Sequence, residues 1–196
     1  MSLNIQDLEK MQVDYPDYRM ELVDGNIVVM SPSGYESEEV GTEFAALLRN
    51  WVRPRKLGRV VGSSAGFKLP NTNLRAPDVS FIKAERLKRS TEDYAELVPD
   101  LVVEVKSKTD SVDKLREKIQ EFIGMGTQIG ILINPKTRTM EVYDGSGEQV
   151  IFRDGMEVYD GSGEQVIFRD GDVLTLPDLL PGWEVAISEI WSPVFE

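Results

Sequence analysis

The 196 residues carry 34 acidic and 22 basic side chains, a net charge of −12, and neither cysteine nor histidine. This excludes disulfides, zinc ribbons, thiol nucleophiles, imidazole metal sites and the Ser-His-Asp triad, so any bound metal must be held by oxygen. The length suits one domain with no membrane partner, and the lack of a long apolar run or of an export-type leader predicts a cytoplasmic chain.

The charge is unevenly distributed. Residues 1–48 carry 10 acids and 2 bases, residues 49–119 carry 10 acids and 16 bases, and residues 120–196 carry 14 acids and 4 bases. Overall acidity opposes a polyanionic partner. The basic middle third is either what an anionic substrate needs locally or merely uneven surface charge.

In chain order, Ile5, Leu8 and Met11 predict a short amphipathic helix over residues 4–11. Strands over 19–23 and 26–31 flank Asp24-Gly25, a pair suited to a type I′ hairpin turn. A helix is expected over 36–52 on the stripe Val40, Phe44, Leu47, Leu48 and Trp51. Glu36, Glu38, Glu39 and Glu43 in its first turns complement the helix dipole. Arg49, Arg53, Arg55, Lys56 and Arg59 at its exit form a solvated face or a phosphate contact. Short strands at 59–62 and 66–69, a polar turn at 70–73, a strand over 75–82 with Asp78 at its entrance, and a basic helical segment at 83–89 follow.

Residues 99–108 read Pro-Asp-Leu-Val-Val-Glu-Val-Lys-Ser-Lys. Side chains two apart in a strand share a face, so Glu104 and Lys106 emerge together from apolar surroundings. Two readings are open here: a catalytic pair at the end of a buried strand, or a half-exposed strand with Leu101, Val103 and Val105 inward. Further on, Asp110 and Asp113 make a capping-box-like start to a helix carrying Val112, Leu115, Ile119, Phe122 and Ile123 on one face, ended by Gly124 and Gly126. Ile129 to Asn134 then forms a short apolar strand closed by Pro135. Strand, helix, strand is the pattern of a right-handed parallel crossover, which places 101–105 beside 129–133 in mid-sheet. A strand covered on both faces does not normally carry Glu and Lys without a reason, which favours the catalytic reading.

Residues 140–155 are repeated identically as residues 156–171. Each unit reads as strand, Asp-Gly-Ser-Gly turn, strand, Arg-Asp-Gly turn. Two successive hairpins are therefore expected, one copy in the native position and the other added at the sheet edge or bulging out, an edge that invites chain-to-chain pairing. A strand-like tail over 183–191 packs back on the body.

Asp78 and Glu104 on adjoining strands can bind a hard divalent cation, with the Val105 carbonyl as a further ligand and Lys106 orienting water or stabilising charge. Further motifs run in order along the chain: Glu21-Leu-Val-Asp-Gly25, Met30-Ser-Pro-Ser33, Arg75-Ala-Pro-Asp-Val-Ser80, Ile133-Asn-Pro-Lys136 and Leu180-Pro-Gly-Trp183. With these, residues 19–195 resemble the restriction-endonuclease-like superfamily with the PD-(D/E)xK signature, and within it the Uma-two endonuclease family. The resemblance implies a single α/β domain over 1–196 with a central mixed β-sheet flanked by helices; the doubled 16-residue unit departs from the family pattern and adds an extra C-terminal hairpin. It also implies Mg2+- or Mn2+-dependent hydrolysis of DNA phosphodiesters. It assigns Asp78 and Glu104 as metal-binding acids, Lys106 as the catalytic lysine, Glu36 as an added metal-site acid, and Gln120 and Lys108 as substrate contacts. A homodimer is compatible with cutting both strands of a duplex. The alternative is a catalytically silent nucleic-acid- or protein-binding module that keeps the fold, since fold does not fix function.

Overall fold

The computed structural model describes residues 2–145, 158–159 and 165–195. Helix α1 (Ile5–Asp14) starts at Asn4, whose side chain accepts from the Gln6 and Asp7 amides while Asp7 accepts from the Asn4 amide. This capping box fixes the helix start, and the helix runs one turn beyond the expected stretch. Strands β1 (Arg19–Val23) and β2 (Asn26–Met30) form the expected hairpin, with φ of 49° at Asp24 and 73° at Gly25 as a type I′ turn requires. Helix α2 (Tyr35–Val52) and strands β3 (Gly58–Gly62), β4 (Phe67–Lys68), β5 (Leu74–Arg75) and β6 (Val79–Lys83) follow.

The single strand expected over 75–82 is two strands in two sheets. β5 pairs with β1 and β4, whereas β6 lies between β3 and the next strand. Pro77 has no amide to give a ladder, and the Ala76 amide donates to Glu21 at 2.8 Å, so pairing breaks there. The helix expected at 83–89 does not form. Arg59 takes the Leu87 and Lys88 carbonyls at 3.0 Å each, and Arg86 reaches across to Asp100 at 2.8 Å, which holds the segment as turns.

Strand β7 (Leu101–Val105), helix α3 (Val112–Gly124) and strand β8 (Ile129–Asn134) make the expected crossover, with β7 and β8 parallel from Leu101↔Ile129 to Val105↔Ile133. The capping box expected at α3 is absent: Ser111 is the N-cap without a side-chain bond, and Asp110 instead accepts from the Ser107 amide. Gly126, at φ 106°, turns the chain out of the helix. Strands β9 (Thr139–Asp144), β10 (Val158–Tyr159) and β11 (Gln165–Phe168) complete a seven-stranded mixed sheet of order β10-β11-β9-β8-β7-β6-β3. The first sheet has the order β2-β1-β5-β4. A small ladder of β12 (Val173–Thr175) and β13 (Glu184–Ala186) follows, and β13 with a 3-10 turn over Ile187–Ile190 stands where a strand-like tail over 183–191 was expected.

The large sheet is covered on both faces. Val40, Phe44, Leu48 and Val52 of α2 pack with Leu101, Val103, Val105, Trp183 and Ile187. On the other face Phe122 packs with Val102 and Ile82, and Ile119 with Leu132. In the duplicated segment, β9 from the first unit pairs with β11 from the second (Met140↔Phe168, Val142↔Val166), and β10 pairs on the far edge of β11 (Val158↔Val166). β11 therefore lies between two strands that share the Val-Tyr sequence in the same register. The remainder of the expected two-hairpin arrangement, residues 146–157 and 160–164, lies outside the described residues.

Candidate active site

Two carboxylates meet at one cleft. Glu104 is in phase with Val102 on β7 and so points to the α3 side, while Asp78 stands just before β6 and lines both this cleft and a smaller one beside α2. The Val105 amide donates to Asp78 Oδ2 at 2.8 Å, which pins Asp78 against β7. Glu104 is 3% exposed. Burial lifts the Glu104 carboxyl to about 8, against the pull of Lys118 and with a further push from Asp78. Burial also raises Asp78, with Glu38 and Asp110 adding to it and the Val105 amide and Lys118 opposing. Both acids open on a cleft of about 920 Å3 between the β1–β2 hairpin and α3.

Lys118 faces them from α3. Leu115, Lys118, Ile119 and Phe122 have the i, i+3, i+4, i+7 spacing of a buried helix stripe, and Lys118 is accordingly only 7% exposed. Its Nζ lies 2.9 Å from Glu104 Oε1 and donates to Glu21 Oε1 and the Ala76 carbonyl, each at 3.1 Å. Burial pulls this ammonium down, but Glu104 and Glu21 outweigh it and hold Lys118 charged, above the usual lysine range. Glu21, 4% exposed on β1, is fixed from behind by Arg75 Nη1 at 2.9 Å. Burial would raise Glu21, yet Lys118, Arg75 and the Ala76 amide together hold it below the usual carboxylate range. Arg75 also binds Glu121 at 2.7 Å, and Asn73 and Asn71 donate to Glu121 at 2.6 and 2.8 Å. A continuous polar chain, buried at Lys118, Glu21 and Glu104 and reaching the surface at Asn71, thus joins the small sheet, α3 and β7.

A family model, Uma2, described as putative restriction endonuclease, matches residues 5–188. The chain belongs to the Uma2 family. A crystal structure of a putative nuclease belonging to DUF820 from Anabaena variabilis ATCC 29413 superimposes with a TM-score of 0.71 at 19% identity, covering 87% of this chain and 88% of that one. That likeness shows the nuclease-type fold. A cryo-EM structure of a DrdV–DNA complex aligns over 58% of this chain and 12% of that one, at 14% identity and a TM-score of 0.33, too low to argue from. No curated protein matches the chain.

Within this Uma2 fold the residues singled out from sequence are placed unequally. Asp78, Glu104 and Val105 meet at the cleft. Lys106 follows the last residue of β7, donates from Nζ to the Ser107 carbonyl at 2.9 Å, and is not among the residues lining the cleft. Lys108 is exposed on the following loop. Gln120 is exposed about 200° around α3 from Lys118, two residues being two steps of about 100°. Glu36 is exposed on the first turn of α2, while Glu38 lines a second cleft of about 240 Å3 that also reaches Asp78. Among the described residues no group of three or more acids stands together as a cation cage. The sequence signals for Lys118 and Glu21 were a lysine on an apolar helix stripe and an acid inside an apolar strand.

Proposed function

We propose that this chain is a divalent-metal-dependent endonuclease acting on DNA phosphodiesters, with Asp78 and Glu104 holding Mg2+ or Mn2+. The observation that carries this reading is the pair of carboxylates, Glu104 buried and Asp78 half-buried, that open on one cleft. These are hard oxygen donors, and the Val105 backbone beside them supplies a carbonyl as a further candidate ligand. A bound cation supplies Lewis acidity toward a phosphoryl oxygen and a more acidic water.

The chain's own groups do the rest. Asp78 is oriented by the Val105 amide, so its free oxygen has a defined direction. Lys118 brings a fixed positive charge to the place where negative charge builds on the phosphoryl group, and its berth on Glu21 keeps it ionised. We therefore assign to Lys118 the catalytic-lysine role that the sequence motif suggested for Lys106. The β1–β2 hairpin walls the cleft with Val28 and Met30, which share the face of Glu21 by cross-strand register.

Plasmid nicking or linearisation in Mg2+ and in Mn2+ tests the reading. Asp78→Asn and Glu104→Gln should each lower the rate by at least roughly 100-fold, the scale of losing a charge-stabilising group. Equal residual activity in wild type and both variants would contradict it.

A further inference from the structure

The three acceptors around Lys118 Nζ are not equivalent. Glu21 and the Ala76 carbonyl each accept a hydrogen bond from it at 3.1 Å, and Glu104 Oε1 is ion-paired with it at 2.9 Å. The Glu21 side of this arrangement is braced independently of Glu104. Glu21 takes the Ala76 amide at 2.8 Å and Arg75 at 2.9 Å, and Arg75 is held by Glu121. A divalent cation and an ammonium cannot both sit on Glu104 without strong repulsion in a buried setting.

We infer that Lys118 is a tethered counter-ion that competes with the divalent cation for Glu104, and that Glu21 and the Ala76 carbonyl form the berth in which it stays when the cation is bound. This rests on the reading of Asp78 and Glu104 as cation ligands. Glu21 is then a positioning residue: acting through Lys118, it sets how much cation the site needs while keeping the ammonium within reach of the phosphate. Neutralising Lys118 frees Glu104 for the cation. Neutralising Glu21 leaves Lys118 with Glu104 as its one charged partner among the described residues and strengthens the competition.

Calorimetric titration of Mn2+ into the full chain, without DNA, tests this. Lys118→Gln should bind Mn2+ roughly tenfold tighter than wild type or more, and Glu21→Gln should bind several-fold weaker, from the removal of close charges. In the Lys118→Gln background, Glu21→Gln should change affinity less than it does in wild type, because its effect runs through the missing ammonium. Lys118→Gln binding no tighter than wild type, or an equal Glu21→Gln effect in both backgrounds, would overturn the inference.

A readout on unmutated protein guards against variants that do not fold. With 15N-lysine label, the Lys118 Nζ signal should persist in a hydrogen-bonded, slowly exchanging form as Mg2+ is added; its loss would overturn the berth. Asp78→Asn separates the two levels of the argument. If it abolishes Mn2+ binding while Lys118→Gln fails to tighten it, only the competition is wrong. If it binds like wild type, or if no form binds, the cation reading falls as well.

Discussion

At the residue scale, the site turns on which lysine is buried. Asp78 and Glu104 were legible because an acid inside or at the entrance of an apolar strand is conspicuous. Lys118 was not singled out, because lysines on helices are usually solvated and the motif spacing drew attention to Lys106. The decisive clue is geometric: Lys118 stands in the stripe with Leu115, Ile119 and Phe122, while Gln120 stands off it. Glu36 and Glu38 show the same limit, since two positions on one helix turn cannot be ranked until the facing sheet is known. Arg75 tests the network directly. Arg75→Met leaves Glu21 and Glu121 without their shared guanidinium and should lower stability by about 3–5 kcal/mol, the usual cost of breaking a buried pair, as measured by urea unfolding. Gln120→Ala should lie within about 0.5 kcal/mol of wild type, as expected for an exposed position away from special features.

At the element scale, the β1–β2 hairpin, α2, β7 and the parallel crossover were legible from periodicity and from Asp24-Gly25, since each is fixed by local chemistry. The division at Ala76-Pro77 and the turns at 83–89 were not. They depend on Glu21 and on Arg59 and Arg86, partners distant in sequence. The duplicated unit makes its own prediction. Deleting residues 156–171 or 140–155 yields one and the same sequence, in which Met140 again opposes a Phe and Val142 a Val in the register seen between β9 and β11. The shortened chain should fold, with stability changed by no more than about 1 kcal/mol, the scale of loop-closure terms. Failure to fold would show that the second unit is integral to the sheet.

Strand β9 also carries a pH effect. Tyr143 donates to Glu141 at 2.5 Å, and burial together with this bond raises its phenol above the ordinary value near 10. The folded state therefore holds the phenolic proton more tightly than the unfolded one. That contribution is fully present below about pH 10 and is lost as pH rises beyond it. The stability advantage of wild type over Tyr143→Phe should shrink between about pH 9 and pH 11 in thermal melts. An advantage that grows over this range would contradict the assignment.

At the scale of the whole molecule, part of the basic middle third is spent on the fold itself. Arg59, Arg75, Arg86, Arg116 and Lys118 are engaged with carbonyls or acids of the fold, and Arg55 stacks on Trp51 at 3.3 Å. Composition alone cannot separate bases that hold the fold together from bases that meet a substrate. In and beside the cleft, Arg19, Lys106, Lys108 and Lys114 have no carboxylate partner among the described residues. Two to four phosphate contacts follow, so log affinity for DNA should fall against log salt with a slope of about −2 to −4, measurable by fluorescence anisotropy. A steeper slope would mean a basic surface elsewhere. The fold shown by the Uma2 match and the A. variabilis structure sets the frame, but chemistry rests on the cleft itself.

The central claim is that Asp78, Glu104 and Lys118 form one working site, and single-turnover DNA cleavage with Mn2+ tests it most directly. Wild type, Asp78→Asn, Lys118→Met and Lys106→Met would be compared at saturating cation. The expected result is a loss of at least roughly 100-fold for Asp78→Asn and Lys118→Met, with Lys106→Met within a few-fold of wild type. Full activity in Lys118→Met together with an inactive Lys106→Met would contradict the site described above.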